Sequence, residues 1–158
     1  MSTEGRPQEP PEHARFAAYL AALEQVTGAD EIELVGDVLT DPDRIMAQGA
    51  VLRHLDRRAA QLCAGPAWEE WAQAMARVVI RHPFLLRRLR EWSLFRAVAL
   101  RLPWRREDLL ASSSWLQLRI AAGSDAEALG VLAESGRTKR IRHTARTGPA
   151  RQRSRGTR

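Results

Sequence analysis

The stretch "PFLLRRLREWSLFRAVALRL", residues 83–102, mixes apolar and basic side chains with the period of an α-helix. When it is wound at about 100° per residue, its apolar side chains gather on one face, which consists of Leu85, Leu89, Trp92, Phe95 and Ala99. Pro83 marks the start, because the residue before a proline is pushed away from helical backbone angles. This is the most apolar helical segment of the chain, and we expect it to be the central helix.

The segments on either side show the same helical period. Helices are predicted over 13–28, 30–39, from Asp41 to about Ala64, from Pro66 to His82, twice within 105–123, and over 125–135 and 138–146. Asp41 followed by Pro42 is a predicted N-cap, and Ser114 with Gln117 and Ser124 with Glu127 are predicted capping boxes. The alternation of Leu116, Leu118 and Ile120 would also suit a strand.

No hairpin signal occurs, so the sequence predicts an all-α fold, either a compact bundle or a short α-solenoid-like array of about six to eight helices. The pair of segments at 125–135 and 138–146 resembles one HEAT-type repeat, although no fixed period runs along the chain.

The charge of the chain is unevenly distributed. Residues 1–136 hold 16 arginines against all 19 acidic residues, whereas residues 137–158 hold nine basic residues and no acidic one. We therefore predict a disordered lead over 1–12, a single helical domain over 13–146 and a disordered basic tail over 147–158.

Two charged residues lie on faces that are otherwise apolar. Asp56 falls among Ile45, Gly49, Leu52, Ala59 and Cys63, and Arg96 falls within the apolar face of residues 83–102, with Arg88 on its flank. A buried lone charge is costly, so we expect Asp56 to pair with Arg96, or otherwise with Arg88, across a helix–helix interface. The alternative is a half-open polar pocket in which Arg88 and Arg96 bind an anionic ligand.

Catalytic and metal-binding patterns are missing from the sequence. The four histidines are far apart and none forms a pair spaced for metal binding; His54 is predicted on an outer helix face and His82 on an apolar one. Cys63 is predicted in the core, and no glycine-rich phosphate loop occurs. We therefore expect no enzyme activity, no cofactor and no metal.

The remaining signals concern partners. Trp104 with Arg105 and Arg106 is a predicted exposed aromatic and basic cluster. The basic residues near the C-terminus are candidate phosphate contacts: Arg137, Lys139, Arg140, Arg142, Arg146, Arg151, Arg153, Arg155 and Arg158.

These patterns predict a non-enzymatic helical interaction or regulatory module whose partner is another protein and whose basic tail is an accessory electrostatic contact. The alternative is a non-specific nucleic-acid-binding protein that uses the tail. The lack of an apolar leader or membrane segment favours a cytoplasmic protein without membrane insertion, and the patterns do not predict an oligomeric state.

Overall fold

The computed structural model describes the backbone of residues 11–155 and the side chains of residues 11–148. Within these residues the fold is all-α, as the sequence predicts, and residues 116–120 are helical. The helices are α1 (Glu12–Gln25), α2 (Glu31–Val38), α3 (Arg44–Leu62), α4 (Trp68–Val78), α5 (Pro83–Ala99), α6 (Arg106–Ala111), α7 (Ser114–Ala121), α8 (Ala126–Ser135) and α9 (Lys139–Arg155).

The start of α3 differs from the prediction. Asp43, not Asp41, caps this helix, because the Asp43 Oδ1 accepts a hydrogen bond from the backbone N–H of Met46 at 3.1 Å. Pro42 lies outside the helix. The sequence offers two aspartates two residues apart, and the local pattern does not distinguish which of them reaches the free N–H groups.

Asp41 has a tertiary role instead. Its carboxylate accepts hydrogen bonds from the hydroxyl of Tyr19 at 2.6 Å, from the backbone N–H of Asp43 at 2.8 Å and from the Nε of Arg15 at 3.3 Å. The hydrogen bond from Tyr19 is the main reason that the pKa of Asp41 is lowered from its ordinary value. Asp41 therefore ties α1 to the loop before α3.

The start of α7 is also shifted from the prediction. Ser113 is the N-cap, and its Oγ accepts a hydrogen bond from the N–H of Leu116 at 3.3 Å. The predicted capping box of Ser114 and Gln117 is wrong, because Gln117 is fully buried and its Nε2 donates to the carbonyl of Leu109 at 3.0 Å. A glutamine at this position satisfies buried backbone groups of the preceding helix instead of the start of its own.

Helix α8 is bounded by two residues with clear local roles. Asp125, one residue after the predicted Ser124, is the N-cap and accepts from the N–H of Ala128 at 2.9 Å. Gly136 ends the helix as predicted, and a Cβ there would lie 2.6 Å from the Cγ2 of Ile141 and 2.7 Å from the carbonyl oxygen of Leu132. Only glycine allows this close approach at the turn into α9.

The helices group into two compact units, and the single helical domain over 13–146 stays a prediction. The N-terminal unit comprises described residues up to 61 together with 69–86, and the C-terminal unit comprises 62–68 and the residues from 87 onward. Each unit has its own buried apolar residues. Helical periodicity shows which face of a helix is buried, but it does not show which helices share a core.

The core of the N-terminal unit is built from α1 to α4. Its fully buried side chains include Val35, Ala50, Val51, Leu55 and Met75. The core of the C-terminal unit is one cluster that includes Leu109, Leu116, Ile120, Leu132 and Ile141. Helix α9 packs on α7 and α8 in this unit and continues beyond the predicted boundary at residue 146, and the half-buried Gly148 lies against the carbonyl of Ala121.

Candidate binding sites

A buried polar cluster in the N-terminal unit centres on the carboxylate of Glu31. Three side chains donate to this carboxylate: His54 through Nε2 at 2.8 Å, Arg58 through Nε at 2.8 Å and Trp71 through Nε1 at 2.8 Å. Burial alone would raise the pKa of Glu31, but the hydrogen bonds and the charge of Arg58 outweigh it and lower that pKa to about 2. Glu31 is therefore an ionised carboxylate at neutral pH, although it is only 4% exposed.

The position of His54 contradicts the sequence prediction of an outer face, because the residue is 2% exposed. The predicted apolar face of α3 is right at Ala59 but wrong near the start of the helix, where Ile45 is 88% exposed and Met46 and Ala50 are buried instead. Helix α3 has apolar residues on more than one side, so periodicity alone leaves the orientation open. Burial of an imidazole becomes favourable only when a buried acceptor such as Glu31 faces it.

The hydrogen bonds also assign the tautomer of His54. The Nη2 of Arg57 lies 3.0 Å from the Nδ1 of His54, and a guanidinium nitrogen can only donate. The Nδ1 is therefore the acceptor, and the Nε2 carries the proton that is donated to Glu31. The same Nη2 of Arg57 also donates to the carbonyl of Leu23 at 3.0 Å. This arrangement holds both Arg57 and His54 in one orientation.

A surface groove of about 580 Å³ lies beside this cluster. One wall is formed by Arg57, Arg58 and Gln61 of α3, and the other includes Glu24 and Thr27 at the end of α1. This groove was not predicted from the sequence. The only available signal was the adjacent pair Arg57 and Arg58 on a helix that also carries a histidine, which is too common a pattern to indicate a site.

The second candidate is the outer face of α9. Ile141 and Ala145 are buried, so this helix has one face against the C-terminal core. The opposite face exposes Lys139, Arg140, His143 and Arg146 to solvent; these four residues are called the α9 basic face below. No acidic residue occurs between 136 and 158, so no acidic neighbour along the helix neutralises these cations.

The other predicted phosphate contacts have different environments. The guanidinium of Arg137 donates through Nη1 to the carbonyl of Ser112 at 2.9 Å, and that of Arg142 donates to the carbonyl of Gly136 at 2.7 Å. Both guanidiniums are therefore hydrogen-bonded within the C-terminal unit, where Arg137 is exposed and Arg142 is half-buried. Helix α9 includes Arg151, Arg153 and Arg155, whose side chains lie outside the described part, as does the whole of Arg158.

The predicted ion pair involves residues of different units. Asp56 is half-buried on α3, and Arg88 and Arg96 are half-buried on α5. The guanidinium of Arg88 lies 3.7 Å from the centroid of the Trp115 ring, which is a cation–π geometry. The Nε of Arg96 is buried and lacks a hydrogen-bond partner among the described residues. The pairing of Asp56 with Arg96 or Arg88 stays a prediction.

The predicted aromatic and basic cluster around Trp104 has mixed exposure. Trp104 is half-buried and packs against the core of the C-terminal unit. It also lines a surface groove of about 480 Å³. Arg105 and Arg106 are exposed, and Arg106 lies 3.9 Å from the carboxylate of Glu134 through Nη2. Trp104 therefore both packs against the core and lines the groove.

Cys63 is buried as expected, and burial raises the pKa of its thiol. Among the described residues, no group of three His, Cys, Asp or Glu side chains is arranged to hold a metal ion. Within the same part of the chain, no helix is both long enough and apolar enough to cross a bilayer. Comparison with known proteins finds no matching family model, curated protein or solved structure.

Proposed function

We propose that this chain is a non-enzymatic helical interaction module that contacts an acidic protein partner through the α9 basic face. The observation that carries the proposal is the placement of Lys139, Arg140, His143 and Arg146 on the exposed side of a helix whose other side is buried. Because Ile141 and Ala145 hold α9 against the C-terminal core, the backbone positions of these cations are fixed. Less conformational entropy is therefore lost when a partner binds.

The charge distribution supports the same proposal. Residues 1–136 carry a net charge of −3, from 16 arginines and 19 acidic residues, so the positive charge is concentrated on and after α9. A concentrated basic surface accelerates association with an acidic surface and makes binding sensitive to salt.

The second candidate function is non-specific binding of nucleic acid through the same face. The observation that favours it is the continuous absence of acidic residues along α9, because phosphate binding depends on uncompensated cations. Contacts of this kind position a nucleic acid but do not read its sequence.

Charge reversal on α9 tests both candidates. The variant Lys139→Glu, Arg140→Glu, Arg146→Glu changes three exposed residues and keeps the buried Ile141 and Ala145. Deletion of the helix is unsuitable because it would uncover the C-terminal core. The matched control reverses three exposed arginines of the N-terminal unit: Arg44→Glu, Arg53→Glu and Arg81→Glu.

Binding is measured against a polyglutamate peptide and against a DNA duplex over a range of salt concentrations. We expect the peptide to bind to the unaltered chain and the control, and to lose at least about tenfold in affinity with the α9 variant. DNA binding that exceeds peptide binding, with a log–log salt slope that falls by about 2.7 in the α9 variant, would favour the second candidate. Failure of both ligands to bind would refute both candidates.

A further inference from the structure

We propose that the groove beside Arg57 and Arg58 in the N-terminal unit is a binding site for a small organic phosphate. It is separate from the α9 basic face, since all the residues that line it belong to the N-terminal unit. The proposal rests on the N–H donors that the two groove-lining arginines leave unused within the protein, on the hydrogen bonds that hold these arginines, and on the size of the groove.

The donors of Arg57 are only partly used within the protein. Its Nη2 donates to the carbonyl of Leu23 and to the Nδ1 of His54. Its Nη1 lies 3.8 Å from the carboxylate of Glu24, beyond hydrogen-bond distance. Among the described residues, no acceptor is hydrogen-bonded to its Nε or Nη1, so the N–H groups on these two nitrogens can each donate singly to a phosphate oxygen.

Arg58 supplies further donors to the same groove. Its Nε and Nη2 donate to the two oxygens of Glu31, at 2.8 and 3.4 Å, and its Nη1 donates to the Oε1 of Gln61 at 3.2 Å. Each Nη nitrogen carries two hydrogens, so one N–H on Nη1 and one on Nη2 are left for a ligand. Thr27 adds a hydroxyl on the opposite wall.

Both guanidiniums are held in place before any ligand arrives. Arg58 is fixed by the buried carboxylate of Glu31, which His54 and Trp71 also bind. Arg57 is fixed by the Leu23 carbonyl and by His54. A site whose cations are already oriented loses little side-chain entropy on binding. The buried polar cluster therefore joins α2, α3 and α4 and also orients the two guanidiniums for a ligand.

Two acidic residues lie near the groove, and they differ in whether their charge would compete with a phosphate. Glu31 is buried and bonded to Arg58, so its charge faces the interior. Glu24 is the acidic residue that lines the groove itself, and its side chain is 67% exposed and only loosely paired with Arg57. A phosphate would displace this carboxylate from Arg57, so Glu24 acts as a weak internal competitor.

The size of the groove indicates more than a bare inorganic ion. Its volume of about 580 Å³ lies within the range of small-molecule sites. Val26, which is half-buried, provides an apolar part of the lining beside the two arginines. A ligand that carries a phosphate on a small apolar body fits this combination of charged and apolar surface.

The first experiment follows the indole N–H signal of Trp71 by NMR, because this group is bonded to Glu31 and Glu31 is bonded to Arg58. The signal is assigned by its absence in Trp71→Phe. We expect phenyl phosphate to shift it with a dissociation constant below about 1 mM and to bind more tightly than inorganic phosphate. Benzoate that binds as tightly as phenyl phosphate would overturn the phosphate assignment, and the absence of any shift would overturn the site.

Two exposed residues of the groove then provide variants with opposite effects. Glu24→Gln removes the competing charge and is expected to tighten phenyl phosphate binding about fivefold. Gln61→Glu keeps an acceptor for Arg58 but adds a negative charge, and is expected to weaken binding about fivefold. Glu33→Gln, an exposed residue of α2 outside the groove, is the matched control and should have no effect.

The same titration with the α9 charge-reversal variant separates this proposal from the proposed function. We expect that variant to bind phenyl phosphate as the unaltered chain does. Equal effects of Glu24→Gln and Glu33→Gln, or loss of binding in the α9 variant, would overturn the assignment of the ligand to this groove.

Discussion

The indole Nε1 of Trp71 donates a hydrogen bond of 2.8 Å to the carboxylate of Glu31, across 40 residues of sequence. The bond joins α4 to α2 inside the N-terminal unit. Because the acceptor is an ionised and buried carboxylate, each hydrogen bond to it stabilises the fold more than an ordinary hydrogen bond between neutral groups does.

A double-mutant cycle on this pair measures its strength. Trp71→Phe removes the N–H, and Glu31→Gln removes the charge of the acceptor. We expect a coupling free energy of about 1.5–3 kcal/mol in urea unfolding at pH 7, since hydrogen bonds to charged groups fall in this range. Effects that add to within about 0.5 kcal/mol would show that the two groups do not interact in solution.

The stability of the protein should depend on Glu31 in acid. The pKa of Glu31 is lowered from 4.5 to about 2 in the folded chain. The unfolded chain thus takes up this proton at higher pH, so the contribution is complete above about pH 5 and is lost as the pH falls from about 4.5 to about 2. It amounts to about 3 kcal/mol.

Thermal unfolding of the unaltered chain and of Glu31→Gln between pH 7 and pH 2 tests this dependence. The stability difference between the two proteins should shrink over the acid window, and the Trp71 indole signal of the unaltered chain should titrate with a midpoint near pH 2. A difference that stays constant down to pH 2 would contradict the ionised state of Glu31.

Two glycines of the C-terminal unit should respond in opposite directions to alanine. Gly136→Ala places a Cβ 2.6 Å from the Cγ2 of Ile141 and 2.7 Å from a backbone oxygen, and should cost about 1–3 kcal/mol. Gly130→Ala, on the exposed side of α8 with no atom within 4 Å, should stabilise by up to about 1 kcal/mol. Chemical denaturation of both variants compares them, and similar effects would refute the crowding at Gly136.

Adjacent serines distinguish the observed cap of α7 from the predicted one. Ser113 accepts from the N–H of Leu116 and donates through Oγ to Glu91 at 2.7 Å, so Ser113→Ala should destabilise by about 1–2 kcal/mol. Ser114→Ala, at an exposed position, should change the free energy of unfolding by less than about 0.5 kcal/mol. A larger effect at Ser114 would restore the capping box that the sequence predicts.

The sequence predicted the helices better than it predicted the contacts between them. It placed the break at Pro83, the end of α8 at Gly136 and the helical character of residues 31–38, because prolines, glycines and helical periodicity act over a few residues. The predicted apolar face of α3 was right at Ala59, but it wrongly placed His54 outside and Ile45 inside. The burial of His54 depends on Glu31, which lies 23 residues away in sequence.

The two candidate sites also differ in how much of each could be predicted from the sequence. The basic residues of α9 were visible in the sequence as an uninterrupted run of positive charge, and the structure adds which of them are exposed. The groove at Arg57 and Arg58 was not visible, because its character depends on Leu23, Glu31 and His54 holding the two guanidiniums.

The amino-acid sequence by itself determined that this chain is helical and that its positive charge is concentrated near its C-terminus. These are local properties, since the hydrogen bonds of an α-helix join residues four apart and charge is a matter of composition. Only the tertiary structure decided that Glu31, His54, Arg58 and Trp71 meet in one buried cluster. The packing of α2, α3 and α4 brings them together, and no local rule specifies which face of one helix meets another.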